Sequence, residues 1–469
     1  MTARHRWWIA ASIALSCACA SPPAPPAAAV ALAPCTDVAA EPADCGTLTV
    51  FENRGTRQGR QIPINFLVLR SAAGRSRDAV FLFAGGPGQG STSMLDIANG
   101  WLRPVRATLD VVLVDQRGTG KSHPLTCEPV ADRDPALAFG HIFDPDLVRR
   151  CRERLAASAD LAQYTTAVAV EDIDDVRQAL GYERISLYGV SYGSRLAQAY
   201  ARRFPDRTRS IVLDGVVPFD APLPVTYAAG AQRALDLVLD ACATRPPCRA
   251  AHPAPAREFT ALLAKLDTGT VPASITAREG PRVPVRMSRG DFGYAVRGVL
   301  YSPRALNELP DLIGRAASTG DVSEFAQRYW DRAARLERSL ALGHHLSVLC
   351  AEDAAFVDDA AARKAVAGTF LGSYVLDEYR QACGLWSVPR IADAGRAPLR
   401  TAAPTLLISG RFDPVTPPDF ADAVARSLTN ARHIVAPGGA HGSGPGCPRE
   451  AVLHVLTTGG LDGVPAVCQ

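Results

Sequence analysis

Five short stretches dominated by apolar, often β-branched residues stand out along the chain: 79–84, 109–115, 185–188, 210–214 and 405–409. Ala79 to Ala84 is apolar without a break, the pattern of a strand buried on both faces of a parallel sheet, and the others read as its neighbours. Ahead of them, L-T-V-F at 48–51 and I-P-I-N-F-L-V-L at 62–69 carry the alternation expected of an antiparallel opening pair. Helical spacing covers 168–180, 197–201 and 419–428, and a last helix falls between Cys447 and Cys468. Glu171, Asp172, Asp174 and Asp175 lie near the start of the first of these, where acids suit a helix dipole. From Phe219 to about Leu399 the βα rhythm stops, and Ala, Leu and Arg recur at helical spacing among frequent prolines. That predicts a mostly helical insertion at 219–399 between two parts of one sheet, 35–218 and 400–469. An insertion there roofs the carboxyl ends of the strands, where it would bear selectivity.

The junction at Arg184 to Arg195, R-I-S-L-Y-G-V-S-Y-G-S-R, is where the pattern acquires chemistry. A strand runs through G-V-S-Y-G directly into a helix, so Ser191 sits at a strained corner that two glycines permit and that lifts its hydroxyl clear of the sheet. Ser191 is the candidate nucleophile. Gly85-Gly86-Pro87-Gly88 follows the buried 79–84 run, and an acyl-transfer site needs two amides aimed at the developing oxyanion. These would come from Gly86, with Gly85 as the alternative, and from Tyr192.

Late in the chain, S-G-R-F-D-P puts Asp413 just past a strand, and Gly438-Gly439-Ala440-His441-Gly442 puts His441 in a loop. His441 is the candidate base; His433 falls inside a strand and His454 inside the last helix. Asp413 is the candidate acid, with Asp214 as its rival one strand earlier. The segment D-Q-R-G-T-G-K-S ends like a phosphate loop, but Asp115 stands where the first glycine of that motif belongs, so nucleotide binding is rejected.

Composition and charge set the surroundings. The chain has 469 residues, 47% hydrophobic and 21% charged, with a net charge of +3, which argues against a dedicated nucleic-acid surface. A basic start, the apolar run from Trp7 to Leu15 and Ala18-Cys19-Ala20 predict an export signal over residues 1–20. Acylation of Cys17 or Cys19 to give a lipid anchor is the rival reading. Residues 21–34 read as a Pro/Ala-rich tether, and no later stretch reads as a transmembrane segment. The remaining ten cysteines suggest disulfides between sequence neighbours, namely 35 with 45, 127 with 151, 242 with 248, 350 with 383 and 447 with 468. Their spacing does not suit a metal, and no cofactor is expected.

Taken together, G-G-P-G, D-Q-R-G-T-G-K-S, E-D-I-D-D-V-R-Q-A-L-G-Y, G-V-S-Y-G-S-R and S-G-R-F-D-P-V-T-P resemble the α/β-hydrolase serine peptidases, specifically the proline iminopeptidases and secreted tripeptidyl aminopeptidases. The resemblance covers about residues 45 to 468. It implies an α/β-hydrolase fold with a mostly parallel central sheet and helices on both faces. It also implies a Ser191, Asp413, His441 triad and a peptide substrate cleaved from its N-terminus. Ala84 stands where proline iminopeptidases carry a histidine, which favours the tripeptidyl branch and leaves room for a small ester substrate. An exopeptidase must hold an α-ammonium group, and V-L-C-A-E-D offers Glu352 and Asp353 for that purpose beside Cys350. Trp386 lines the pocket or packs the lid. A carboxylesterase using the same triad and a non-catalytic binding protein on the same fold are the competing readings.

Overall fold

The computed structural model describes residues 30–36, 42–128, 135–277, 280–442 and 444–468. The expected export signal, its acylation site and most of the tether lie outside the described residues. The main sheet contains β1 (Leu32–Pro34), β2 (Asp44–Phe51), β3 (Gln61–Leu69), β4 (Asp78–Phe83), β5 (Asp110–Val114), β6 (Arg184–Val190), β7 (Thr208–Asp214), β10 (Thr405–Gly410) and β11 (Ala431–Ala436). Their spatial order is β1-β2-β3-β5-β4-β6-β7-β10-β11. From β5 onward every pairing is parallel, while β1, β2 and β3 join at one edge in antiparallel fashion.

Alternation along the central strands divides the interior. Ala79, Phe81 and Phe83 of β4 pack on one face with Leu187, Ile211, Leu407 and the helices Thr166–Leu180 and Tyr192–Arg203. Val80, Leu82 and Ala84 face the other way, with Tyr188, Val212, Ile408 and the helix Cys447–Thr458. Covering both faces is why these strands read as apolar runs and not as alternating ones.

Two details differ from expectation. Leu32–Pro34, assigned to the tether, is a strand paired with Asp44–Gly46, and the Cys35–Cys45 bridge closes it. The acids of helix Thr166–Leu180 form ion pairs and do not cap its dipole: none lies in the first turn. Asp172 takes the buried Arg117 guanidinium through Nε and Nη2 at 2.6 and 2.8 Å, while Asp174 takes Arg177 and the Tyr200 hydroxyl.

Between β7 and β10 the chain is largely helical, with one exception that the sequence reading missed. β8 (Val271–Thr276) and β9 (Arg282–Met287) form a separate antiparallel hairpin. The inserted helices share a core that includes Phe259, Phe292, Phe325 and Trp386 and that also takes in Leu147, Val148 and Leu155 of the helix Pro145–Ala156. Asp291 illustrates how the parts are tied: it completes a capping box with Ser288 and also accepts from Gly140 N and the Tyr374 hydroxyl. All five neighbour-to-neighbour disulfides are present, and Cys350–Cys383 joins the helices Leu342–Glu352 and Tyr374–Trp386. Among the described residues, no helix is long and apolar enough to cross a membrane and no cluster of metal-binding side chains occurs.

Candidate active site

Ser191 stands between the end of β6 and the start of the helix Tyr192–Arg203 with φ 56° and ψ −123°, a conformation that costs a non-glycine residue energy. The flanking glycines are what make the corner buildable. A Cβ on Gly189 would lie 2.1 Å from Gly193 O, and one on Gly193 would lie 2.1 Å from Phe83 O at the end of β4. The Ser191 amide donates to Asp214 O at 2.8 Å, which docks the corner onto β7. Asp214, the rival acid, uses its carboxylate on the Tyr188 hydroxyl at 2.9 Å.

The glycine-rich loop runs directly against this corner: a Cβ on Gly85 would sit 3.1 Å from Ser191 Cβ. Gly86 and Gly88 have φ of +111° and +114°, values that fit glycine alone. Two contacts from the inserted helices hold the loop. Ala341 N donates to Gly88 O at 2.9 Å, and His345 Nδ1 lies 2.9 Å from Pro87 O. A carbonyl only accepts, so Nδ1 carries the proton and Nε2 accepts from the Tyr379 hydroxyl at 2.9 Å. Burial pushes the His345 imidazole down to about 4, so it is a neutral fixture. Sequence reasoning passed over His345 because nothing in its local pattern marks a contact made with a loop more than two hundred positions away.

His441 Nδ1 is 2.8 Å from Asp413 Oδ2. Asp413 is itself held, with Oδ1 accepting from Val415 N and Thr416 N at 2.8 and 2.9 Å and Oδ2 accepting from Thr416 Oγ1 at 2.7 Å. Burial alone would lower the His441 pKa, but the Asp413 carboxylate prevails and raises it to about 9. Tyr301 walls the imidazole: its ring meets that of His441 edge-on at 5.2 Å, and its carbonyl accepts from His441 N at 3.3 Å. Gly215, with φ +68°, passes close enough that a Cβ would come within 3.3 Å of His441 Cε1.

Ser191, Tyr192, Gly86 and His441 all line one cavity of about 420 Å³, roofed by Tyr227, Arg297, Tyr301 and other residues of the insertion. Glu352 and Asp353 do not line it. Glu352 accepts from Thr166 N at 2.6 Å and from Thr166 Oγ1 at 2.7 Å, and Thr166 Oγ1 bonds the Tyr192 hydroxyl at 2.8 Å. Burial raises the Glu352 pKa against the pull of Arg195. Asp353 is bound by both terminal nitrogens of Arg195, which projects from the helix that Ser191 begins. Neither acid therefore faces the cavity: Glu352 is bonded through Thr166 to the Tyr192 hydroxyl, and Asp353 ties the insertion to the helix Tyr192–Arg203. Trp386 is likewise packed away, its Nε1 donating to Ser347 Oγ at 3.0 Å.

A family model described as the alpha/beta hydrolase fold matches residues 78–444. The chain is 27% identical over 404 residues to the serine protease Hip1 of Mycobacterium tuberculosis, across 80% of this chain and 76% of that one. It is 28% identical over 455 residues to carboxylesterase B of the same organism, covering 89% and 85% of the two chains. A tripeptidyl aminopeptidase from Streptomyces lividans is 31% identical over 195 residues, 38% of this chain and 36% of its own. The solved proline iminopeptidase of Mycobacterium smegmatis aligns over 88% of this chain and 98% of that one, with 17% identity and a TM-score of 0.40.

Proposed function

Since the chain belongs to the α/β-hydrolase family and is a serine hydrolase, we propose that it is an exported exopeptidase that releases residues or tripeptides from peptide N-termini. In this reading Ser191 attacks the scissile carbonyl while His441 takes its proton, and the backbone amides of Gly86 and Tyr192 bind the oxyanion. His441 then hands that proton to the leaving amine as the C–N bond breaks, leaving an acyl group on Ser191 Oγ. Water repeats the sequence in reverse roles and frees the acid. Asp413 fixes the imidazole tautomer and stabilises the imidazolium.

The observation that carries the exopeptidase part is the roof. A cavity of about 420 Å³ closed over by inserted helices accepts a chain end far more readily than the middle of a long polypeptide. Five disulfides support an oxidising destination, outside the cytoplasm.

One observation favours a second reading, a carboxylesterase with the same triad. The two acids expected to anchor an α-ammonium group are absent from the cavity wall. The deciding experiment offers purified protein matched amino-acyl, tripeptidyl and N-acetylated chromogenic amides alongside a short-chain ester. Cleavage of the amides with an unblocked amine and rejection of the acetylated ones is the expected result. Turnover of the ester alone would overturn the exopeptidase reading in favour of the esterase.

A further inference from the structure

Arg297, on the helix Arg289–Leu300, is 4% exposed and has no carboxylate within ion-pair distance among the described residues. Tyrosines surround it instead. Its Cζ lies 4.7, 5.6 and 5.3 Å from the ring centroids of Tyr227, Tyr294 and Tyr301. Nη2 donates to the Tyr301 hydroxyl at 3.1 Å, and Nε has no partner. A second guanidinium arrives from the helix Ser323–Ser339: Arg332 stacks on the Tyr301 ring at 4.0 Å, and its Nε is also unpartnered. Gly298 makes that approach possible, since a Cβ there would stand 2.8 Å from Arg332 Cδ.

Arginine does not shed its proton, and a buried cation without a counter-ion is costly. Ring faces and one phenol offset only part of that cost. Arg332, which is half-buried, puts a second positive charge on the same ring, and the two repel each other. Both line the cavity shared by Ser191 and His441; of the acids on the same wall, Asp144 caps the helix Pro145–Ala156, and Glu128 and Glu337 each have interactions of their own. A pair of forked donors on the cavity wall, each with an unpartnered Nε and neither in an ion pair among the described residues, matches a carboxylate in geometry and charge. The Tyr301 ring that carries them is the one set edge-on to His441, so an anion held there lies close to the reacting bond.

We propose that the cavity recognises a substrate carboxylate, held by Arg297 and Arg332 at the Tyr301 ring, and so selects peptides or esters with an acidic group near the scissile bond. This rests on the hydrolase reading only for its catalytic consequence, because the anion site is defined by the wall of the cavity.

Calorimetry on the intact protein compares 4-phenylbutyrate with 4-phenylbutyramide, one aryl chain ending in a carboxylate or in a neutral amide. The expected result is binding of the acid tighter by about tenfold or more at low salt. That preference should fall below about threefold in Arg332→Gln, and also in Arg297→Lys, which keeps the buried charge but removes the fork. Equal affinity of acid and amide for the wild-type protein overturns the proposal, as does a preference undiminished in both variants. Turnover then locates the acid: glutamyl against glutaminyl 4-nitroanilide reports on the acyl side, and alanyl-4-aminobenzoate against alanyl-4-aminobenzamide on the leaving side. A preference for the acid in either pair supports the site, and equal turnover within both pairs counts against it. Should no amide be cleaved, the exopeptidase reading fails while the calorimetry still decides the anion site.

Discussion

Arg195 Nη1 and Nη2 grip Asp353 Oδ2 and Oδ1 at 2.7 and 2.9 Å, with both side chains 1% exposed. One residue belongs to the helix Tyr192–Arg203 that follows Ser191 and the other follows the helix Leu342–Glu352 of the insertion, so the pair links the sheet domain to the roof. Removing one partner strands the other charge in the interior. Asp353→Ala is expected to lower unfolding free energy by about 3–5 kcal/mol, read as a reduced urea midpoint at unchanged slope. A loss below about 1 kcal/mol would mean that water reaches the stranded guanidinium.

Ser191→Ala should leave the melting temperature within a few degrees of wild type and cut kcat by at least about 10⁴-fold on whichever substrate is turned over. It should also abolish labelling by a serine-reactive phosphonate. Retained labelling would place the nucleophile at another serine.

The Asp413 carboxylate raises the His441 pKa from 6.5 to about 9 despite burial. A general base must be neutral, so kcat/KM is expected to climb with pH toward a midpoint well above 6.5. Stability runs the other way. A raised folded pKa favours the protonated form, so its contribution is full below 6.5 and disappears as pH rises through about 9. Asp413→Asn removes the cause, moving the kinetic midpoint down and flattening the stability slope. A wild-type midpoint at or below 6.5 would contradict this assignment.

The hydrogen bonds of Glu352 reach the cavity wall through Thr166 and the Tyr192 hydroxyl. We therefore expect Glu352→Gln to reduce kcat by about tenfold through a displaced Tyr192, with equal effects on substrates whose amine is unblocked or acetylated. A rise in KM confined to the unblocked substrates would restore the amine-anchor role.

Gly193→Ala tests the elbow itself, where the added methyl would meet Phe83 O at 2.1 Å. The expected outcome is loss of soluble protein, or destabilisation of more than about 3 kcal/mol. A stable, active variant would show that β4 and the helix can separate.

The central strands were legible because coverage on both faces leaves a continuous apolar signature, as in Ala79 to Ala84. The hairpin β8–β9 was not: Pro272 and Pro284 and a mixed, half-exposed pattern hide a two-stranded ribbon within an otherwise helical stretch. Ser191, Asp413 and His441 carry local signals, since an elbow and loops among glycines are written in adjacent residues. Thr416, His345 and the partners of Glu352 and Asp353 carry none. Their roles come from packing between distant segments, as when Thr166 meets Glu352 across 186 positions. The charge pattern of V-L-C-A-E-D was visible, but the direction in which those carboxylates turn was not.

The contacts of Ala341 and His345 with Gly88 and Pro87 tie the insertion to the loop that the proposed mechanism uses to bind the oxyanion. The roof is thus not an interchangeable module. Grafting onto this sheet the insertion of a relative with a different specificity would remove the two supports of the loop and weaken catalysis along with changing selectivity. New selectivity in this scaffold has to arise by substitution on the inner wall, with the segment from Ala341 to His345 retained.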